Sequence, residues 1–130
     1  MTTRILMVDD ELDTKELYRQ NFRREIRKGE YVFDFAESGN EAIRYLHAKD
    51  HSEIILVLSD INMPGMTGIE LLEKVRLQWP DISVFMITAY GDRSTERTVL
   101  ELGASKFLTK PVDFAALKNQ LSDFVESACG

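Results

Sequence analysis

Cysteine and long apolar runs are scarce in this chain, and each scarcity excludes something. The single cysteine, Cys129, is the next-to-last of 130 residues, so a disulfide framework is ruled out. The expected compartment is therefore reducing, intracellular and cytoplasmic. No apolar stretch approaches the length that crosses a bilayer. No signal-peptide pattern opens the chain, because Met1-Thr2-Thr3-Arg4 leads straight into a short strand. Positive charge is also in short supply: 16 Lys and Arg against 22 Asp and Glu leave a net charge of -6. That balance argues against direct nucleic-acid binding by this domain, though not against a protein partner with a basic patch. The two histidines, His47 and His51, are far in sequence from any ligand cluster and read as surface residues. There is no internal repeat, low-complexity tract or linker.

What is present is enough for one domain with a real core, since 44% of the residues are apolar. Short apolar strands alternate with longer amphipathic stretches. Ile5–Val8 reads as the first strand. Residues 13–28 follow as a helix with Leu17, Tyr18, Phe22 and Ile26 on one side, stopped by Gly29. Tyr31–Phe35 is the second strand. A capping box at Ser38-Gly39-Asn40-Glu41 predicts a helix burying Ala42, Ile43 and Leu46. Residues 54–59 are the third strand. Thr67-Gly68-Ile69-Glu70 is another capping box, heading a helix with Ile69, Leu72, Val75 and Arg76 along one stripe and ended by Pro80. Residues 82–87 form the fourth strand, 95–102 a helix closed by Gly103, and 106–108 a short fifth strand. Asp113 caps a last helix carrying Phe114, Leu117, Leu121, Phe124 and Val125. Five strands strictly alternating with five helices predict an α/β fold: a flavodoxin-like, doubly wound parallel sheet in the order 2-1-3-4-5.

In such sheets the binding crevice lies beyond the carboxyl ends of the strands. Strand one ends in Asp9-Asp10-Glu11, strand three in Asp60, strand four in Thr88-Ala89, and strand five is followed by Lys110-Pro111. Asp60 closes an apolar run that reads as a strand buried on both faces, where an ionised carboxylate is costly unless compensated. Mg²⁺ would compensate the acidic cluster, since it favours carboxylate and carbonyl oxygens and keeps sites open for phosphate. Asp60 is then a nucleophile toward phosphorus, Lys110 a compact countercharge, and Thr88 a hydroxyl donor to a phosphoryl oxygen.

The residues Val8-Asp9-Asp10-Glu11, the run from Asp60 to Gly68, Thr88-Ala89-Tyr90 and the run from Phe107 to Pro111 carry a close resemblance to the response-regulator receiver domain of two-component signalling. The resemblance covers essentially the whole chain, so residues 1–130 are expected to form one such domain, standing alone or cut from a longer chain. It implies a phosphorylation-dependent switch in which Asp60 accepts a phosphoryl group from a phosphohistidine. The donor would be a sensor histidine kinase or a histidine phosphotransfer protein. It implies Mg²⁺ held by Asp10, Asp60 and the backbone carbonyl of Asn62, with Asp9 assisting, largely through water. It implies that Thr88 moves toward the phosphoryl group while Phe107 swings inward, Phe107 standing where many members have tyrosine. It further implies a cis peptide at Lys110-Pro111. The changed surface would span the fourth helix, fifth strand and fifth helix (α4-β5-α5 in that count), about residues 95–120, and would meet an output domain, a protein partner or a second copy as a homodimer.

Each residue alone admits a plainer reading: Asp9-Asp10-Glu11 as a solvated helix start, Thr88 as strand packing, Lys110 as a surface lysine, Phe107 as core. The basic run Arg19, Arg23, Arg24, Arg27 and Lys28 reads as complementation of the helix dipole, with a surface for an acidic partner as the alternative. Two other functions compete. A metal-dependent aspartyl-phosphate phosphatase would use the same groups, but it needs an acid two residues after the nucleophile, where Asn62 stands. Flavin or nucleotide binding needs a phosphate-cradling loop after strand one, and Asp9-Asp10-Glu11 would repel phosphate. The chain is thus expected not to be an enzyme beyond its own phosphorylation and dephosphorylation.

Overall fold

A computed structural model describes residues 2–48 and 54–129; His51 lies outside them. Five strands, β1 Thr3–Val8, β2 Tyr31–Ala36, β3 Ile54–Asp60, β4 Ser83–Thr88 and β5 Lys106–Thr109, form one sheet. Every pairing is parallel, and the order is β2-β1-β3-β4-β5, as the alternating pattern predicts. The helices are α1 Leu12–Asn21, α2 Arg23–Arg27, α3 Gly39–Ala48, α4 Gly68–Gln78, α5 Arg93–Glu101 and α6 Phe114–Cys129.

The strands are apolar on both faces because helices cover both, and their residues divide by parity. On one face Leu6, Val8, Val57, Val84 and Met86 pack against Ala42 and Leu46 of α3, Leu71, Leu72 and Val75 of α4 and Val99 of α5. On the other, Ile5, Met7, Leu56, Leu58, Phe85 and Ile87 meet Tyr18, Phe22, Leu117 and Leu121. The result is two cores separated by one sheet, with Asp9, Asp60, Thr88 and Lys110 at the sheet's carboxyl edge.

Three local expectations need correction. The single helix over residues 13–28 is two helices, broken at Phe22, whose backbone leaves the helical region (φ -107°, ψ 16°). Phe22 is fully buried, stacked on Tyr18 and packed edge-on to Phe114. The count among the described residues is therefore six helices, α2 being little more than one turn. Leu17 is not on the core side: it is exposed, and its neighbour Tyr18 takes the buried place. The helix expected from residue 95 begins at Arg93, because Asp92 caps it, its Oδ1 accepting from the Thr95 N–H at 2.6 Å.

The Thr67 capping box forms as its spacing requires. Thr67 Oγ1 accepts from the Glu70 N–H and Glu70 Oε1 accepts from the Thr67 N–H. At the Ser38 box only half forms: Ser38 Oγ accepts from the Glu41 N–H, while the Glu41 carboxylate takes the N–H of Glu37. The start of α4 is held against the end of β3, where Gly68 donates to the Ile61 carbonyl at 2.8 Å. A methyl group at Gly68 would collide with the Asp60 carbonyl oxygen, so glycine is what permits this close approach.

Candidate functional site

Backbone pairing carries the functional residues to one place. The ladder continues one residue past several strands: the Asp9 N–H donates to the Ala36 carbonyl, Ile61 to Ile87 and Lys110 to Thr88. These bonds hold Asp9, Asp60, Thr88 and Lys110 on a common edge although they are far apart in sequence. Lys110 Nζ is 3.2 Å from Asp60 Oδ2, 3.4 Å from Asp9 Oδ2 and 3.4 Å from Glu11 Oε1. One ammonium therefore faces three carboxylates. The Lys110-Pro111 peptide is cis, as the resemblance implies.

Asp60 and Asp9 are buried at 4% and 5% exposure, low enough that their charges feel little screening by bulk water. Burial pushes the Asp60 carboxyl above the ordinary carboxylate range. Lys110 and the Asn62 N–H pull it back, while the negative charge of Asp9 pushes it further up. For Lys110, burial works against the ammonium, yet Asp60 and Asp9 outweigh it and hold the group above the ordinary lysine range. Burial and the Asp9 charge thus favour proton uptake at Asp60, while the neighbouring carboxylates favour the charged form of Lys110.

Asp9 is firmly oriented. Its Oδ1 accepts from the Glu11 N–H at 2.9 Å and its Oδ2 from the Thr14 hydroxyl at 2.9 Å, so it also serves the start of α1. Thr88 is buried at the end of β4. Its Oγ1 accepts from the Tyr90 N–H at 3.1 Å and from Asn62 Nδ2 at 3.3 Å. Its own O–H proton has no protein acceptor among the described residues. Phe107 is half-buried against the core face built by α4 and α5.

Asp9, Glu11 and Asp60 each offer a carboxylate oxygen, all within 4.8 Å of one another. This hard, all-oxygen donor set, with one carboxyl already raised by crowding and burial, fits a divalent cation such as Mg²⁺. Asp10, a direct ligand according to the resemblance, is exposed and stands outside that trio, which includes its neighbour Glu11. The sequence reading grouped Glu11 with its neighbours but gave it no role. It also missed Thr14, whose hydroxyl steadies Asp9. The signal was available: a small hydroxyl residue in the first turn of a helix that opens on acids. His47 is exposed and makes an edge contact with the Trp79 ring, away from the site.

Comparison with known proteins gives a consistent picture. The family described as the response regulator receiver domain matches residues 5–122. Response regulator RppA of Synechocystis is 35% identical over 91% of this chain, which spans 48% of that protein, about half its length. Sporulation initiation phosphotransferase F of Bacillus subtilis is 30% identical, the match covering 96% of this chain and 95% of that protein. Among solved structures, the CheX-CheY-BeF3-Mg complex of Borrelia burgdorferi contains a chain 30% identical, with a TM-score of 0.84 over 95% of this chain and 89% of that one. No helix among the described residues is long and apolar enough to cross a membrane.

Proposed function

The chain belongs to the response regulator receiver domain family of two-component signalling, and from that premise we propose that it is a switch phosphorylated on Asp60. The observation that carries the reading is Lys110 Nζ lying 3.2 Å from a buried Asp60 carboxylate that shares a small oxygen cluster with Asp9 and Glu11. The phosphodonor is a phosphohistidine on a sensor kinase or phosphotransfer protein. An Asp60 carboxylate oxygen attacks phosphorus, the P–N bond breaks, and its electron pair returns to the imidazole nitrogen, leaving an acyl phosphate. Asp60, Asp9, either Asp10 or Glu11, and the Asn62 carbonyl would hold Mg²⁺, which would supply charge neutralisation for the phosphoryl oxygens.

The protein's own groups do the rest. Lys110, released from part of its pairing with Asp60, pairs with a phosphoryl oxygen. The Thr88 hydroxyl, whose proton is uncommitted, donates to another. Recruiting Thr88 draws it from Asn62 and Tyr90, loosening the start of the loop before α5. Phe107, next to β4 on β5 and paired with Met86 in the register, then turns inward. The surface of α5, β5 and α6 changes, and with it affinity for an output domain, a protein partner or a second copy. Self-phosphorylation and dephosphorylation are the only chemistry in this reading, and the working compartment is the cytoplasm. Asn62 fits a switch better than a phosphatase, because its amide is bonded to Thr88 and carries no transferable proton for a leaving alcohol.

Incubation with Mg²⁺ and a small phosphodonor, followed by intact-mass measurement, tests the proposal. Wild type gains one phosphoryl group, and chelation of the metal prevents it. If Asp60→Asn gains the same mass at the same rate, Asp60 is not the acceptor.

A further inference from the structure

Residues 15–28 hold six cations and two carboxylates, while the remainder of the chain holds ten cations and twenty carboxylates. A strongly basic segment in an acidic molecule therefore lies on α1 and α2, outside the phosphorylation site. Dipole complementation explains part of it, since Arg19 is in the last turn of α1 and Arg27 in that of α2. The break at Phe22 removes the explanation for Arg23, which is the first residue of α2, where a cation opposes the dipole. These cations are little neutralised: among the described residues Arg19, Arg23, Arg24, Arg27 and Lys28 form no salt bridge, and only Arg24 acts on the charge of nearby Glu25. The nearby Glu25 is held by Lys118 at 2.9 Å.

This basic face borders the free edge of the sheet. β2 pairs with β1 alone. The carbonyls of Glu30 and Ala36 point inward, accepting from Thr3 and Asp9. By strand alternation the backbone groups of Tyr31, Phe33 and Phe35 face outward, with no ladder partner among the described residues. Their rings form a chain of contacts, Tyr31–Phe33 at 6.3 Å and Phe33–Phe35 at 6.3 Å, and Arg19 lies 5.4 Å from the Phe35 centroid. Two adjoining concavities of about 520 and 580 Å³ share Arg23 and Arg27, the first running along β2. Charge on an edge strand often serves to repel other strands. Here the one charge on β2 itself, Asp34, is neutralised by Arg4 at 2.7 Å, and the cations sit on the flanking helices instead.

We propose that the outer edge of β2, with the basic face of α1 and α2, is a docking groove for an extended acidic segment of a partner polypeptide, which adds as a sixth strand. Backbone bonds to Tyr31, Phe33 and Phe35 supply the affinity common to strand addition, and the arginines select carboxylates along the segment. A short strand touches only this local positive region. A long nucleic acid or an anionic bilayer would also meet the surrounding negative charge, which disfavours both.

The test uses a short fluorescein-labelled peptide of alternating glutamate and valine, with fluorescence anisotropy for binding and hydrogen exchange for register. Wild type binds it, more weakly as salt rises, and binding slows exchange at the amides of Tyr31, Phe33 and Phe35. The double variant Arg23→Glu/Arg27→Glu, checked for folding by its thermal melt and for an intact switch by phosphorylation, binds about tenfold more weakly or worse, the loss of charge-assisted contacts. The proposal is overturned if wild type does not bind the peptide, if the variant binds it equally, or if binding leaves those three amides unprotected. It is also overturned if single-stranded DNA or anionic phosphatidylserine vesicles bind more tightly than the peptide.

Discussion

Burial works against the charge on Asp60 and Lys110 works for it, and that opposition sets its pH behaviour. Its folded pKa lies above the ordinary carboxylate value, so between those two values the folded state binds more protons than the unfolded one. Stability contributed at this position therefore falls as pH rises through that window. Asp60→Asn removes the charge, and the metal-free variant is expected to exceed wild type in stability at neutral pH. The gap should close on acidification below the ordinary carboxylate range, as urea denaturation across a pH series would reveal; a gap that widens in acid contradicts the assignment. Lys110 acts in the other direction, as the one ammonium among the described residues that faces three carboxylates. Lys110→Ala should bind Mg²⁺ more tightly, because a competing cation is gone. Its phosphorylation should nonetheless slow by about 100-fold, the scale for removing one preorganised charge donor from a transition state. Metal titration by Tyr or Trp fluorescence and a phosphorylation time course would report the two effects separately.

Among the elements, α4 has the best-defined start, and its contribution is measurable. Thr67→Ala removes the hydroxyl that accepts from the Glu70 N–H and should cost about 0.5–2 kcal/mol in urea denaturation, while Thr67→Ser should retain most of it. That box was legible in the sequence because both bonds lie within four residues. The break at Phe22 was not. Tyr18, Phe22 and Ile26 keep a four-residue spacing that a continuous helix and two short helices satisfy equally well, and the choice is made by Phe22 wedging among Tyr18, Phe33 and Phe114. Leu17 and Tyr18 competed for one buried place, and the larger ring took it. The meeting of Asp9, Asp60 and Lys110 was legible because each follows or closes an apolar strand. Which side chain of Asp9-Asp10-Glu11 would join them was not, since that depends on a turn in which the Asp9 carboxylate takes the Glu11 N–H and the Thr14 hydroxyl.

At the scale of the whole molecule, two cores on opposite faces of one sheet hold the carboxyl edge rigid. Leu72, fully buried between α4 and the sheet, illustrates the dependence: Leu72→Ala should cost about 2–5 kcal/mol, read as a lower urea midpoint. In the proposed switch, Mg²⁺ bound only by the folded state would add about 2.7 kcal/mol of stability at a hundred times its dissociation constant. In the proposed switch one atom is decisive, the Asp60 carboxylate oxygen that would bond to phosphorus. Borohydride reduces an aspartyl phosphate to homoserine with release of phosphate, leaving a permanent mark on the acceptor. After phosphorylation with Mg²⁺ and reduction, peptide sequencing should find homoserine at position 60 and nowhere else. Homoserine at Asp9 or Asp10, hydroxynorvaline at Glu11, or no reduced residue in a protein that has gained a phosphoryl group, would contradict the account.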